Sequence, residues 1–408
     1  MRVAILHYAA PPTVGGVEST IYHHARLLAQ VGYGVQVIAG RGKPFDPRVE
    51  LRLIPRLYSK HPQVLAVKRY LDQGLANEAF QRLRDELDKE LSAVLVGSEV
   101  CIVHNAITLH KNLALTAALR QLSEREDVRL IAWCHDFAWR RPQYRSELHP
   151  GYPWDLLRQP WPGVTYVAVS RAQREELAEL FGWPPERVQV VPPGVDPWTL
   201  LRLRPQTAEL VNTLGLLEAE MVLLLPARIT RRKNIELGLR ITAALHEQGH
   251  QAHLVVTGPP GPHNPANVAY LKRLQHLRHE LGLERYVHFL YEQGTLEQPF
   301  IPDDAMMAEL YMVADALLFP SKQEGFGIPV LEAGLARLPI FCSDIPPFKE
   351  SGGTEITVFG LDEEPHRIAR QIVEVLAADP AYRLRRRVLE EYTWRQIVKN
   401  KVLPLLER

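Results

Sequence analysis

At 408 residues the chain exceeds what one core supports efficiently, about 250 to 300 residues, so two domains with a cleft between them are expected. Lys plus Arg (48) balance Asp plus Glu (47), which excludes a global field that would draw the protein to nucleic acid or anionic lipid. Hydrophobic residues at 46% and charged residues at 23% exclude a disordered or fibrous chain. The apolar run within Met1–Pro12 is too short for a secretory leader, and no run approaches the roughly 18 apolar residues of a membrane span. A cytoplasmic address is expected, with peripheral membrane contact left open. Cys101, Cys134 and Cys342 lie far apart in apolar, strand-like stretches without pairing or metal-ligand spacing, as buried free thiols do.

Short apolar runs alternate with longer amphipathic stretches, the pattern of a parallel sheet covered by helices. In chain order the first strands are expected at Arg2–Tyr8, Val35–Ala39, Val100–His104, Arg129–Cys134, Thr165–Val169 and Val188–Val191. A helix is predicted over Glu18–Val31, with Ile21, Ala25, Leu28 and Val31 on one face and Gly32 and Gly34 beyond its end. Another follows Ser170, which with Gln173 makes an S-x-x-Q capping box, and stops at Gly182. The turn-rich segment Val191–Pro197 breaks the rhythm and marks the domain boundary. The domains are therefore expected at 1–195 and 196–387, with a C-terminal helix of about 388–408 free to pack back on the first through Trp394, Ile397 and Val398. A second set of strands follows at Val222–Pro226, His253–Thr257, Val287–Leu290, Ala316–Phe319 and Pro339–Cys342. The fold class is α/β, with two tandem Rossmann-like domains facing each other across a deep cleft and ligands at the carboxyl ends of their strands.

Two strand–loop–helix junctions carry chemistry. Ala227–Asn234 lies between the strand Val222–Pro226 and a helix over Ile235–His246, so Arg228 and Lys233 face a sheet edge where a helix N-terminus already favours anions. That suits a diphosphate; a solvated basic loop is the plainer alternative, and it is the preferred reading of Arg231 and Arg232. Ser321–Ala333 joins the strand Ala316–Phe319 to the next helix. Gly325 and Gly327 let the backbone turn close to a ligand, and Pro329 suits the first helical turn. Glu332, about one turn into that helix, has a carboxylate able to accept two hydrogen bonds from the O2 and O3 of a ribose, or else is a surface glutamate near a positive helix end.

Glu324 and Glu332, set in E-G-F-G-I-P-V-L-E-A downstream of A-R-x-x-x-x-K-N, resemble the signature of glycosyltransferase family 4, retaining enzymes of the GT-B fold. The resemblance extends to Gly15-Gly16-Val17-Glu18, His135-Asp136, Ala168-Val169-Ser170 and Pro192-Pro193-Gly194-Val195-Asp196. It implies that Glu332 holds the ribose, that Arg228 and Lys233 hold the diphosphate, and that Glu324 with Gly325, Phe326, Gly327 and Ile328 receives the donor sugar. Gly15 and Gly16 would lie under the phosphates, and His135 near the sugar and the reacting centre. His135, Glu324, Arg228 and Lys233 are the expected catalytic set. It implies a nucleotide-diphosphate sugar as donor, GDP-mannose favoured over UDP-glucose, and a small-molecule or glycan acceptor. No cofactor and no metal are expected, because two fixed cations do a divalent ion's work on the leaving diphosphate. Pro193, where many relatives have Asn, and the proline-rich loop 258–265 depart from the family's pattern.

The acceptor is expected at the loop after Arg129–Cys134, where Asp136, Trp139, Arg140, Arg141 and Tyr144 combine aromatic faces with guanidinium groups. That set suits a small anionic solute, a sugar acid such as glucosylglycerate. A loop packed on its own domain, a lipid-linked or polysaccharide acceptor, and a sugar-nucleotide epimerase of similar fold remain the alternatives. A nicotinamide-dependent dehydrogenase fits poorly, since no G-x-G-x-x-G follows the first strand.

Overall fold

The computed structural model describes residues 1–13, 15–261, 266–295 and 298–407. The proline-rich loop at 258–265 is thus described only as far as Gly261; its remainder lies outside the described residues. The chain divides into two compact units, Met1–Val195 with Tyr392–Arg408, and Asp196–Glu391.

The first unit is built on seven parallel strands: β1 (Arg2–His7), β2 (Gly34–Ala39), β3 (Val49–Leu53), β4 (Val100–His104), β5 (Arg129–Cys134), β6 (Thr165–Ala168) and β7 (Gln189–Val190), in the order β3-β2-β1-β4-β5-β6-β7. The second carries six: β8 (Met221–Leu225), β9 (Ala252–Val256), β10 (Val287–Phe289), β11 (Ala316–Phe319), β12 (Ile340–Ser343) and β13 (Thr357–Phe359), in the order β10-β9-β8-β11-β12-β13. Both are doubly wound α/β sheets. Each reverses its strand order once, between β1 and β4 and between β8 and β11, and loops leaving the carboxyl ends diverge at such a point and leave room for a ligand.

The central strands are buried on both faces because helices cover both sides of a parallel sheet, which is why MVLLL of β8 and VCIVH of β4 read as unbroken apolar runs. The edge strands β3 and β13 were not anticipated. β3 alternates Glu50 and Arg52 with apolar residues and is half exposed, as an edge that must resist further pairing tends to be. The helix Glu78–Leu95 buries Phe80, Leu83, Leu87, Leu91 and Leu95 at three- and four-residue spacing, and Asn77 caps it by accepting from the Phe80 amide. Ser170 caps the helix Arg171–Phe181 as expected, its Oγ accepting from the Gln173 amide at 3.1 Å, and Gly182 ends that helix in the left-handed region. The second half of the capping box is not made: the Gln173 side chain donates instead to the carbonyl of His135, at 2.8 Å.

The chain leaves the first unit at Val195 and returns at Tyr392, and the two passages pair: Val195 N donates to Tyr392 O at 2.8 Å and Trp394 N to Val195 O at 3.0 Å. Gly194 is required there, because a Cβ would lie 2.8 Å from the Trp394 ring and backbone. Trp394 stacks on His23 with centroids 4.9 Å apart, and Ile397, Val398, Val402, Leu405 and Leu406 complete the core formed with Val3, Ile5 and Val100. The preceding helix, Pro380–Glu391, belongs to the second unit, so the return begins four residues later than the sequence pattern placed it. All three cysteines are buried and unpaired. No helix among the described residues is long and apolar enough to cross a membrane.

Trp394 is only 5% exposed. Trp394→Ala is expected to destabilise the first unit by about 3 kcal/mol or more, a typical cost of emptying a buried aromatic site. The check is the urea midpoint, and an unchanged midpoint would mean that the returning segment does not hold the first unit together.

Candidate active site

In the second unit, the two loops flanking the strand-order reversal are those that carry the basic and acidic motifs. After β8, Ala227 and Ile229 are buried while Arg228 between them is exposed and makes no ion pair with any described residue. The loop after β9 braces this segment: Ile229 N donates to Pro259 O at 2.9 Å and Gly258 N to Ala227 O at 3.1 Å. A Cβ on Gly258 would sit 2.5 Å from that carbonyl, so glycine is demanded by the close approach of two backbones. The described part of the proline-rich loop is therefore a strut beneath Arg228.

After β11, Lys322 N donates to Arg232 O at 2.7 Å, which brings the second loop against the first. Glu324 then accepts from both cations of that loop, Oε1 from Lys233 Nζ at 2.5 Å and Oε2 from Arg232 Nη1 at 3.0 Å. The side chains of Glu324 and Lys233 are 8% and 9% exposed, and Lys233 Nζ also lies 4.6 Å from the centroid of the Phe319 ring. Burial pushes the Lys233 ammonium down from its ordinary pKa. Burial alone would push Glu324 up, but the hydrogen bonds it accepts, led by that from Lys233, hold its carboxyl below the ordinary range. Arg232, assigned to solvent from the sequence, is thus part of the site; its two basic neighbours gave no signal that would single it out.

Gly327 opens the helix Ile328–Leu335 from the left-handed region, φ 98°, where a Cβ would meet the Phe348 ring at 2.8 Å. Pro329 occupies the first turn. Gly325, Phe326 and Ile328 are exposed, and Glu332 is exposed one turn further on. One Glu332 oxygen, Oε2, accepts from the buried Tyr311 hydroxyl at 2.6 Å, a partner the sequence did not reveal. The other oxygen and the remaining lone pairs stay available for hydroxyl groups.

In the first unit the reversal between β1 and β4 is lined by histidines. His7 and His104 end β1 and β4, and His135 follows β5. His104 Nδ1 lies 3.0 Å from His135 Nε2, and His7 Nδ1 lies 3.0 Å from the His104 carbonyl. The His135 backbone is fixed on both sides, its amide donating to Asn105 Oδ1 at 2.8 Å and its carbonyl accepting from Gln173. His24 is wholly buried against Trp133 and Trp394. Burial lowers all of these imidazoles: His135 to about 4 with a smaller contribution from His7, His24 to about 3, His7 below its ordinary value and His104 well below it. Each is neutral at pH 7. Only His135 was singled out from the sequence; His104 ends the strand next to its own and His7 the strand beyond that, a lateral relation that no local pattern contains.

Gly15 is extended and Gly16 begins the helix Gly16–Gln30, whose first turn leaves amides without helical partners. A Cβ on Gly16 would meet nothing within 4 Å, so packing within the unit does not impose glycine there.

The residues expected to receive the acceptor are largely engaged inside the first unit. Arg141 Nε donates to Asp136 Oδ1 at 2.5 Å, and its two terminal nitrogens bind the Glu176 carboxylate at 2.5 and 3.2 Å. Arg140 pairs with Glu179 at 3.0 Å. Trp139 donates to the Trp154 carbonyl at 3.1 Å with Arg158 over its face, and Tyr144 packs on His110 beneath Lys111. Glu176 and Glu179, three residues apart on one helix face, pair with Arg141 and Arg140, the arrangement of a loop packed on its own domain. The described residues contain no group of three or more His, Cys, Asp or Glu arranged to hold a metal ion.

Residues 14–198 match the model of glycosyltransferase family 4, and residues 207–393 match that of glycosyl transferases group 1. The chain is 24% identical over 394 residues to mannosylglucosylglycerate synthase of Petrotoga mobilis, covering 90% of this chain and 88% of that protein. It is 28% identical over 246 residues to an uncharacterized glycosyltransferase of Methanocaldococcus jannaschii, 58% of either chain. It is 32% identical over 202 residues to D-inositol 3-phosphate glycosyltransferase of Actinosynnema mirum, 48% of this chain and 45% of that one. The matched stretch thus spans little more than half of one of these relatives and less than half of another. With one family model on each unit and a doubly wound parallel sheet in both, this chain belongs to glycosyltransferase family 4, and its two Rossmann-like units are those of the GT-B fold.

Proposed function

We propose that the protein transfers a hexose, mannose in preference to glucose, from a nucleotide-diphosphate sugar to a hydroxyl of a small hydrophilic acceptor, with retention of anomeric configuration. The observation that carries this reading is the meeting of the loops after β8 and β11: the first carries the exposed Arg228 and the anchored Lys233, and the second leads into the helix that bears Glu332. Glu332 takes the ribose hydroxyls and Arg228 and Lys233 take the diphosphate. Glu324 has a double role: it fixes the Lys233 ammonium, and its spare lone pairs accept from the donor sugar. A cation held in place before the reaction stabilises charge growing on the leaving diphosphate without reorganising. No divalent metal enters this proposal, since the two cations supply the positive charge. From the first unit, His135 contributes a neutral hydrogen-bonding group to the sugar.

Support for mannose comes from the segment Glu324–Pro329, similar to that of many mannosyltransferases, and from the name of the Petrotoga mobilis relative. That name also supports a sugar-acid acceptor of the glucosylglycerate kind. Arg140 and Arg141 are paired with Glu179 and Glu176, so an anionic acceptor competes with those carboxylates for them.

Arg228→Ala and Lys233→Ala should each lower kcat by about 100-fold, as loss of one transition-state donor does, while changing nucleoside affinity little. Comparable losses in affinity and in kcat would make them ordinary binding residues. Glu332→Ala should weaken nucleoside diphosphate binding by about 1.5 to 3 kcal/mol in calorimetry; unchanged affinity would remove it from the ribose. Excess EDTA should leave turnover intact, and loss of turnover restored by magnesium or manganese would contradict the metal-free reading. A panel of nucleotide sugars, scored for released nucleoside diphosphate with soluble sugar acids, neutral sugars and lipid carriers, tests donor and acceptor together. Conversion of the donor sugar without an acceptor would indicate an epimerase instead.

A further inference from the structure

His135 has one ring nitrogen engaged and the other without a partner among the described residues. Its Nε2 is 3.0 Å from His104 Nδ1. His104 is fully buried, and its own second nitrogen, Nε2, is sealed from solvent with no hydrogen-bond partner among the described residues, surrounded by the rings of Trp133 and His24. Two neutral imidazoles share one proton across an N···N contact, so only two arrangements exist. In one, His135 Nε2–H donates to His104, which must then carry its proton on Nε2, as a buried N–H pointing at nothing. In the other, His104 Nδ1–H donates to His135 Nε2, and the sealed His104 nitrogen is a bare lone pair. Buried N–H groups without acceptors are the rarer defect, and the second arrangement avoids one.

The surroundings leave the pair little freedom to rearrange. A carbonyl only accepts, so the contact of His7 Nδ1 with the His104 carbonyl puts a proton on His7 Nδ1 and clamps the His104 backbone. Asn105 Oδ1 and Gln173 Nε2 clamp the His135 backbone from either side, and Gln173 forgoes its helix-capping bond to do so. Burial keeps both rings neutral at pH 7, so neither proton count nor ring position changes under working conditions.

We propose that His104 is a positioning residue that donates its Nδ1 proton to His135 Nε2 and so holds His135 as the Nδ1–H tautomer. His135 then meets its substrate as a hydrogen-bond donor. It has no free lone pair with which to take a proton from the acceptor hydroxyl, so it is not the general base. This inference rests on the assignment of His135 to the sugar-transfer site made above.

The test has a spectroscopic and a kinetic arm. Long-range proton–nitrogen spectra of the full-length protein, labelled at histidine and assigned with His135→Gln, are expected to show His135 protonated at Nδ1 and bare at Nε2. Protonation at Nε2 would overturn the proposal whatever the enzyme's activity. His104→Leu removes the donor, and kcat should fall about tenfold, the lower end for loss of a partner that orients a functional histidine; nucleoside diphosphate affinity should hold. His104→Asn keeps an N–H near the position of Nδ1 and should recover most of kcat and the wild-type His135 tautomer. Equal losses in the Leu and Asn variants, or no loss in the Leu variant, would reduce His104 to a packing residue. If the wild type shows the expected tautomer but transfers no sugar from any donor, the functional assignment fails and the tautomer assignment stands.

Discussion

A carboxylate held between two cations ties together the loops that leave β8 and β11 at the strand-order reversal of the second unit. Glu324 accepts from Lys233 on one oxygen and from Arg232 on the other, and all three side chains descend from the two strands at which the sheet reverses its order. An ion pair this buried is poor as a source of stability, because withdrawing two charges from water costs about as much as their attraction returns. Its value is geometric. A lysine on a four-carbon stem would otherwise sample many positions; here the ammonium is fixed between a carboxylate and the Phe319 ring. Arg228, on the same loop and open to solvent, stands on backbone braced by the strut from Gly258 to Gly261.

The first unit solves a different problem with different chemistry. Its strand-order reversal carries neutral imidazoles in place of fixed charges, and burial keeps them neutral. A neutral imidazole offers a hydrogen bond without adding a charge. The same unit closes its core with the chain's own C-terminus, where Trp394 packs on His23 and beside His24. Folding of the terminal segment and placement of the histidine cluster are therefore linked through shared packing.

What could be read from the sequence follows from how local each feature is. β8 and β11 are legible because strands buried on both faces carry unbroken apolar runs, and Arg228, Lys233, Glu324, Gly327 and Glu332 sit at set distances within single strand–loop–helix segments. β3, with Glu50 and Arg52 in five residues, and β13, with three residues, offer no such run. His104 and His7 were missed because their relation to His135 is lateral: it depends on β1, β4 and β5 being neighbours, which no local pattern contains. The partners of Arg140 and Arg141 were hidden for a related reason. A run of cations in a loop is visible in the sequence, whereas the helix that brings Glu176 and Glu179 against it is visible only in the fold.

The central claim is that the loops after β8 and β11 form a site for a diphosphate. Calorimetric titration with matched nucleoside diphosphate and nucleoside monophosphate, in the wild type and in Arg228→Ala, tests it most directly. The diphosphate is expected to bind at least about tenfold more tightly, the gain of one charge-assisted hydrogen bond, and the gap is expected to close in the variant. Equal affinities for the two ligands in the wild type, or a gap that survives the substitution, would contradict it.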